Sequence, residues 1–324
     1  MISDGKNTKV LIRAIVFVIL FVLLFAFLEA FTYDYSTAYD GWAYVYTDDI
    51  DILIMGSSEA HASFDAPYIT EQTGKSTVIL SSGAQSAKQI YFNLIEVLKY
   101  QKPELIIVEE FSVVEDTLSW MRENNLYGLA LANLDGMKMS PLKLRAAFST
   151  LGFEGYGVFH IMREAGKTER FIYSVQHMRS RLTHLFDPER KELSPTRGTV
   201  LTIPESTATV TQYEESLTRE IDKSYEIPKE NIIYMDKIIE LCSENGIELE
   251  FIKTPLIKNA SSISGHYAIQ KHLEEMGYDI KTYNLMDTSL GGDYLYEDFA
   301  DLNHVSASGM QKVSDWFVKH INNR

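Results

Sequence analysis

The chain has 324 residues, 45% of them hydrophobic and 23% charged, a balance that excludes a disordered polar chain and suits a folded globular protein. Its net charge of −15 excludes nucleic acid as a general partner, because the overall field repels a phosphate backbone. Cys242 is the only cysteine, which excludes an internal disulfide, and no Cys/His spacing suits a metal or calls for a cofactor.

The first element in chain order is apolar. No residue from Ala14 to Leu28 is polar, and the apolar stretch extends from Val10 to about Phe31, a length that spans a bilayer. Lys6, Lys9 and Arg13 lie at its start, and Asp34, Asp40, Asp48, Asp49 and Asp51 follow it. That asymmetry predicts a cytoplasmic N-terminus over 1–9, a single transmembrane helix over 10–31 and a cell-membrane location, with the rest of the chain outside. Phe27-Leu28-Glu29-Ala30-Phe31 offers no small-x-small cleavage site, so the anchor is expected to stay in place. Residues 32–49, rich in Tyr, Asp, Thr and Gly, read as a connector leading to a domain over 50–324.

That domain opens with strand, turn, helix. Asp51-Ile52-Leu53-Ile54-Met55 is an apolar run ended by Gly56, as expected of a strand buried on both faces. Thr77-Val78-Ile79-Leu80 is a second, leading through Ser81-Ser82-Gly83 into a helical stretch from Ser86 to Tyr100, and Leu105-Ile106-Ile107-Val108 is a third. Helical spacing returns from Asn231 to Asn245, followed by a strand at Leu249-Glu250-Phe251-Ile252, a helix from His266 to Met276, a short strand from Ile280 to Leu285 and a closing helix from Ser306 to Ile321. This alternation predicts an α/β fold with one parallel sheet, built from both ends of the domain. Between them, about 113–228 lacks strand runs and reads as a mostly helical insertion. Its stretch from His160 to Leu185 carries Arg163, Lys167, Arg170, Arg179 and Arg181, either a solvated amphipathic helix pair or a patch for anionic glycan or lipid headgroups. Asn259-Ala260-Ser261 matches a glycosylation sequon.

Two short motifs carry chemistry. Gly56-Ser57-Ser58-Glu59 follows the first strand directly, which places a serine hydroxyl at the carboxyl end of the sheet, where open α/β sheets hold their sites. A Gly-Ser-Ser turn is also a common helix-capping device. Asp301-Leu302-Asn303-His304 precedes the last helix, and its spacing lets a carboxylate fix one imidazole nitrogen while the other serves as base. An isolated Asp-x-x-His is equally a capping Asp beside a surface His. Near the serine, His61 either lines a pocket or is structural, Glu59 influences the site or favours the helix start, and Glu109 and Glu110 are pocket carboxylates or partners of a basic residue.

Nucleophile near the first strand, then Asp and His before the last helix: this order resembles the SGNH (GDSL-like) hydrolase superfamily, over roughly residues 50–111 and 246–320. The resemblance implies a flavodoxin-like three-layer domain and a catalytic triad of Ser58, Asp301 and His304. It also implies Ser57 in place of the usual Asp and Gly83 as a backbone oxyanion donor. Where the family usually has Gly-x-Asn-Asp after the third strand, this chain has Glu109-Glu110-Phe111-Ser112, which leaves the backbone of Ser58 and Gly83, and Ser112, as pocket donors. The Gly56-Ser57-Ser58-Glu59 variant with Phe64-Asp65 is similar to the membrane-anchored D-alanine transfer branch of teichoic-acid D-alanylation, and more loosely to the acetylation proteins of exopolysaccharide export. That similarity implies an esterase or acyltransferase for acetyl or D-alanyl groups on a cell-surface polysaccharide or teichoic acid, with a membrane-bound O-acyltransferase as partner. The alternative is an accessory domain that binds such a glycan or acyltransferase without turnover.

Overall fold

The protein is described by a computed structural model over residues 4–32, 37–124, 126, 129, 133–134, 136–138, 140–155, 194–200, 209–218, 220–257, 260–290 and 293–324. The apolar N-terminal segment forms helix α1 (Asp4–Thr32). Among the described residues, however, no helix is long and apolar enough to cross a membrane. The expected transmembrane anchor at 10–31 is therefore overturned, and with it the single-pass topology and the cell-membrane location. The expected connector over 32–49 contains a helix, α2 (Thr37–Thr47), because Trp42, Tyr44 and Val45 give it an apolar face, 4% exposed or less, that packs on the sheet.

Five strands form one parallel sheet, β1 (Ile52–Gly56), β2 (Thr77–Ser81), β3 (Leu105–Glu109), β4 (Glu248–Lys253) and β5 (Lys281–Asn284), in the order β2-β1-β3-β4-β5. This is the doubly wound order of flavodoxin-like folds. β1, β2 and β3 are buried at every position, which is why they read as unbroken apolar runs. Alternate residues feed two cores. Leu53, Met55, Val78, Leu80, Ile106 and Val108 face one cluster, and Ile52, Ile54, Ile79, Leu105 and Ile107 face the other. The remaining helices are α3 (Ser58–Ser63), α4 (Ala66–Thr73), α5 (Ala87–Val97), α6 (Phe111–Val114), α7 (Thr117–Glu123), α8 (Pro141–Gly155), α9 (Val210–Leu217), α10 (Lys229–Asn245), α11 (Ala260–Met276) and α12 (Ala307–Asn322). The first core is closed by α2, α5, α8, α10 and α11, the second by α3, α4 and α12, which gives three layers. Cys242 lies in the first core, where burial pushes its thiol up to about 12.

Over 113–228 the described residues form helices and no strand. The basic stretch from 160 to 185 and the sequon at 259 lie outside the described residues. Residues 194–200 return to the free edge of β2. The Ile79 N–H donates to Arg197 O at 3.0 Å, and Arg197 Nε donates to Thr77 O at 2.7 Å. Gly198, at φ 90°, lies against Ile79 O, where a Cβ would collide with the carbonyl, so the edge is covered by a contact that only glycine permits.

The closing helix α12 holds together the elements that carry both chemical motifs. Phe317, fully buried, meets Phe64 at the end of α3 edge to face, with ring centroids 5.5 Å apart. Phe317→Ala is expected to destabilise the protein by about 3–5 kcal/mol, read as a lower urea midpoint at constant slope.

Candidate active site

The serine turn is shaped by what lies beneath it. At Gly56 a Cβ would stand 2.5 Å from Glu109 Cβ, so only glycine lets β1 end this close to β3. Ser57 is extended (φ −80°, ψ −165°) and caps α3, its Oγ accepting the Glu59 N–H at 3.2 Å. The same hydroxyl donates to Glu109 Oε2 at 2.9 Å, and the Ser57 N–H donates to that oxygen at 3.3 Å. Ser58 is then the first residue of α3, half-buried, at the carboxyl end of the sheet.

The second motif is a loop closed by the antiparallel bridge Phe299↔Val305. Asp301 Oδ1 accepts the backbone N–H of Asn303 at 2.7 Å and of His304 at 2.9 Å, which turns the chain so that the imidazole comes back onto its own carboxylate. His304 Nδ1 lies 2.9 Å from Asp301 Oδ2, and Nε2 lies 2.8 Å from Ser58 Oγ. Partial burial alone would raise the Asp301 pKa, but the hydrogen bonds from the His304 ring and the two backbone amides hold it below the ordinary carboxylate value. An ionised Asp301 accepts Nδ1–H, which leaves Nε2 free to accept the Ser58 proton. Ser58, Asp301 and His304 thus meet across 243 residues of sequence or more, Ser58 to Asp301 being the shorter separation (301 − 58).

Other expected residues fall around this line. His61, one turn beyond Ser58, is buried with Nδ1 2.9 Å from Ser81 Oγ, and burial followed by the nearby His304 lowers its pKa to about 4, so it is neutral. Gly83 is half-buried, and its carbonyl accepts from Asn133 Nδ2 at 3.3 Å. Among the described residues the backbone N–H groups of Ser58 and Gly83 have no hydrogen-bond partner and are available as donors. The Ser112 hydroxyl is completely buried and unpartnered, away from solvent rather than in an open pocket.

Ser57 and Glu59 point down, into a charged cluster that sequence reasoning did not assemble. Glu59, Glu109, Glu110 and Lys253, each 3% exposed or less, line a cavity of about 10 Å³, the size of a single water. Burial, then the charge of Glu109, raises Glu59 well above the ordinary carboxylate value, while Lys253 opposes that rise. Burial also raises Glu109 to about 7, against hydrogen bonds from Phe111 and Ser57. Lys253 is lowered by burial, against Glu110, Glu59 and Glu109. Glu110 is held by His266 Nδ1 at 2.8 Å. The signal for this cluster was present: Glu109-Glu110 and Lys253 end two apolar strands that pair with Glu109 opposite Ile252. Charges at the ends of buried neighbours must meet a partner. Among the described residues no group of three His, Cys, Asp or Glu is arranged to hold a metal ion.

No protein-family profile matches the chain, and no curated protein does. Similar solved structures include a protein of Bacteroides fragilis assigned as an acylhydrolase, with TM-score 0.39, 10% identity and coverage of 84% of this chain and 86% of that one. Another is an acetyl xylan esterase of the rumen bacterium Butyrivibrio proteoclasticus, with TM-score 0.35, 9% identity and coverage of 86% of this chain and 64% of that one. Likeness at this level decides nothing about activity.

Proposed function

We propose that the chain is a serine-dependent ester hydrolase or acyltransferase acting on acyl groups carried by glycan hydroxyls. The observation that carries the chemistry is the continuous line from Asp301 Oδ2 to His304 Nδ1 at 2.9 Å and from His304 Nε2 to Ser58 Oγ at 2.8 Å. The glycan and the acyl group, acetyl or D-alanyl, are drawn from the resemblance of the Gly56-Ser57-Ser58-Glu59 and Asp301-x-x-His304 motifs.

In this reading His304 Nε2 removes the Ser58 proton as Oγ bonds to the ester carbonyl carbon, and Asp301 stabilises the imidazolium through Nδ1–H. The carbonyl oxygen becomes an oxyanion facing the free N–H groups of Ser58 and Gly83. Collapse breaks the bond to the alcohol, whose oxygen takes the proton back from His304 and leaves an acyl-Ser58. A water or a sugar hydroxyl, deprotonated by His304, then takes the acyl group and restores Ser58. Water makes the enzyme an esterase; a sugar hydroxyl makes it a transferase.

A second reading, a domain that binds an acylated glycan or an O-acyltransferase without turnover, is favoured by one feature. The end of β3 offers Glu109, committed to Ser57 and Phe111, and no side-chain donor to add to the two backbone N–H groups. A serine-directed fluorophosphonate separates the two. The catalytic reading expects a single adduct on Ser58, found by peptide mass spectrometry and lost in His304→Ala; an unlabelled Ser58 in the folded protein sinks it.

A further inference from the structure

We infer that Glu109 is the positioning residue of the nucleophile: its carboxylate ties the Gly56-Ser57-Ser58 turn to the end of β3 and thereby sets the direction of the Ser58 hydroxyl and backbone N–H. The inference rests on the serine-ester reading above and concerns the same site.

The carboxylate holds the turn through three donors. Oε2 accepts the Ser57 hydroxyl at 2.9 Å and the Ser57 N–H at 3.3 Å, and Oε1 accepts the Phe111 N–H at 2.6 Å. Capping of α3 needs only the Ser57 oxygen as acceptor from Glu59. The two bonds to Glu109 add nothing to that cap. They fix the residue immediately before the nucleophile in both its backbone and its side chain. The Ser57 hydroxyl has one proton, and giving it to Glu109 orients the lone pairs toward the Glu59 N–H. Ser57 is 0% and Glu109 1% exposed, so no solvent molecule substitutes for a lost bond. The closeness of the turn to the carboxylate is built into the chain, since a Cβ on Gly56 would stand 3.1 Å from Glu109 Oε2. Lys253 supplies the positive charge facing this group, with Glu59 from α3 and Glu110 beside it as the like charges.

Steady-state hydrolysis of p-nitrophenyl acetate by the full chain tests this in Ser57→Ala, Glu109→Gln and the double variant. Glutamine keeps the shape but presents an NH₂ group to one of the donors that the carboxylate accepted. A misaimed nucleophile costs on the order of 10–100-fold in kcat with KM within about twofold. If Glu109 acts through Ser57, the double variant is no slower than the slower single one. If Glu109→Gln does not fold, Ser57→Ala, which removes one hydroxyl, carries the same kcat expectation. Unchanged kcat with a lowered unfolding midpoint, or losses that multiply in the double variant, assigns Glu109 to stability alone and overturns the inference. Full turnover by Ser58→Ala overturns the serine reading, and this inference with it. Turnover that depends on Ser58 but ignores both Ser57→Ala and Glu109→Gln overturns only the inference.

Discussion

Ser58→Ala is expected to lower kcat for a small aryl acetate by about 10⁴-fold or more, and His304→Ala by a similar factor. The expectation follows from the division of labour along the hydrogen-bonded line. Ser58 Oγ is the atom that forms the bond, and His304 Nε2, 2.8 Å away, is the one base in hydrogen-bond contact with it among the described residues. Removing either leaves only the backbone donors and substrate binding, so the double variant should be no slower than the singles. Asp301→Asn should lose about 10³–10⁴-fold, because an amide in place of the carboxylate favours the tautomer with its proton on Nε2, the atom that must accept from serine. Thermal midpoints should hardly move in Ser58→Ala, since the residue is half-buried and its hydroxyl caps nothing. Hydrolysis retained above about one tenth in Ser58→Ala, in protein shown to be folded, would falsify the catalytic reading.

The framework of this site was legible because it is local. Each of β1, β2 and β3 is a run of residues buried on both faces, and burial on both faces leaves an unbroken apolar signature. The two motifs were legible for a related reason. Gly56 and Ser57 are demanded by a tight strand-to-helix turn, and Asp301 and His304 by a loop in which a carboxylate organises the next three residues. What escaped was less local. The helix expected from His266 begins at Ala260, since Ser261, Ser262 and Gly265 interrupt the apolar spacing of its first turns. α2 escaped because its tyrosines and Asp40 read as polar, whereas Trp42, Tyr44 and Val45 turn one face inward. Glu59, Glu109 and Lys253 come from α3, β3 and β4, and no spacing along the chain shows that three charges will share one cavity. At α1 the expectation failed in the other direction: the run forms a helix, Asp4–Thr32, but among the described residues no helix is long and apolar enough to cross a membrane.

That cavity predicts a large effect whose size depends on pH. At neutral pH, Lys253→Met is expected to cost about 3–5 kcal/mol, the usual result of removing one partner from a buried charged group. Methionine is close to the lysine stem in length and volume, so the loss is charge rather than packing. Burial raises Glu109 from its ordinary 4.5 to about 7, and raises Glu59 as well. A carboxyl whose folded pKa lies above its unfolded one favours the folded state while it is protonated. For Glu109 that contribution is complete below 4.5 and is lost as pH rises through about 7, so the group makes the wild type less stable across that window, and Glu59 acts in the same direction. His61 works against them: with its pKa lowered from 6.5 to about 4, its contribution is present above 6.5 and lost as pH falls toward 4. Without Lys253 the rise of Glu59 loses the positive charge that opposes it, and Glu109 keeps only the hydrogen bonds from Phe111 and Ser57 against its own rise. The variant should therefore lose less near pH 5, where Glu109 is protonated, than near pH 8, where folding must either bury the charge of Glu109 or hold its proton against the solvent. Urea midpoints of wild type and Lys253→Met at about these two pH values decide it. A penalty that is equal at both, or larger at the lower one, would mean that the charge of Glu109 does not act on Lys253, and the electrostatic account of the floor beneath Ser58 would fail.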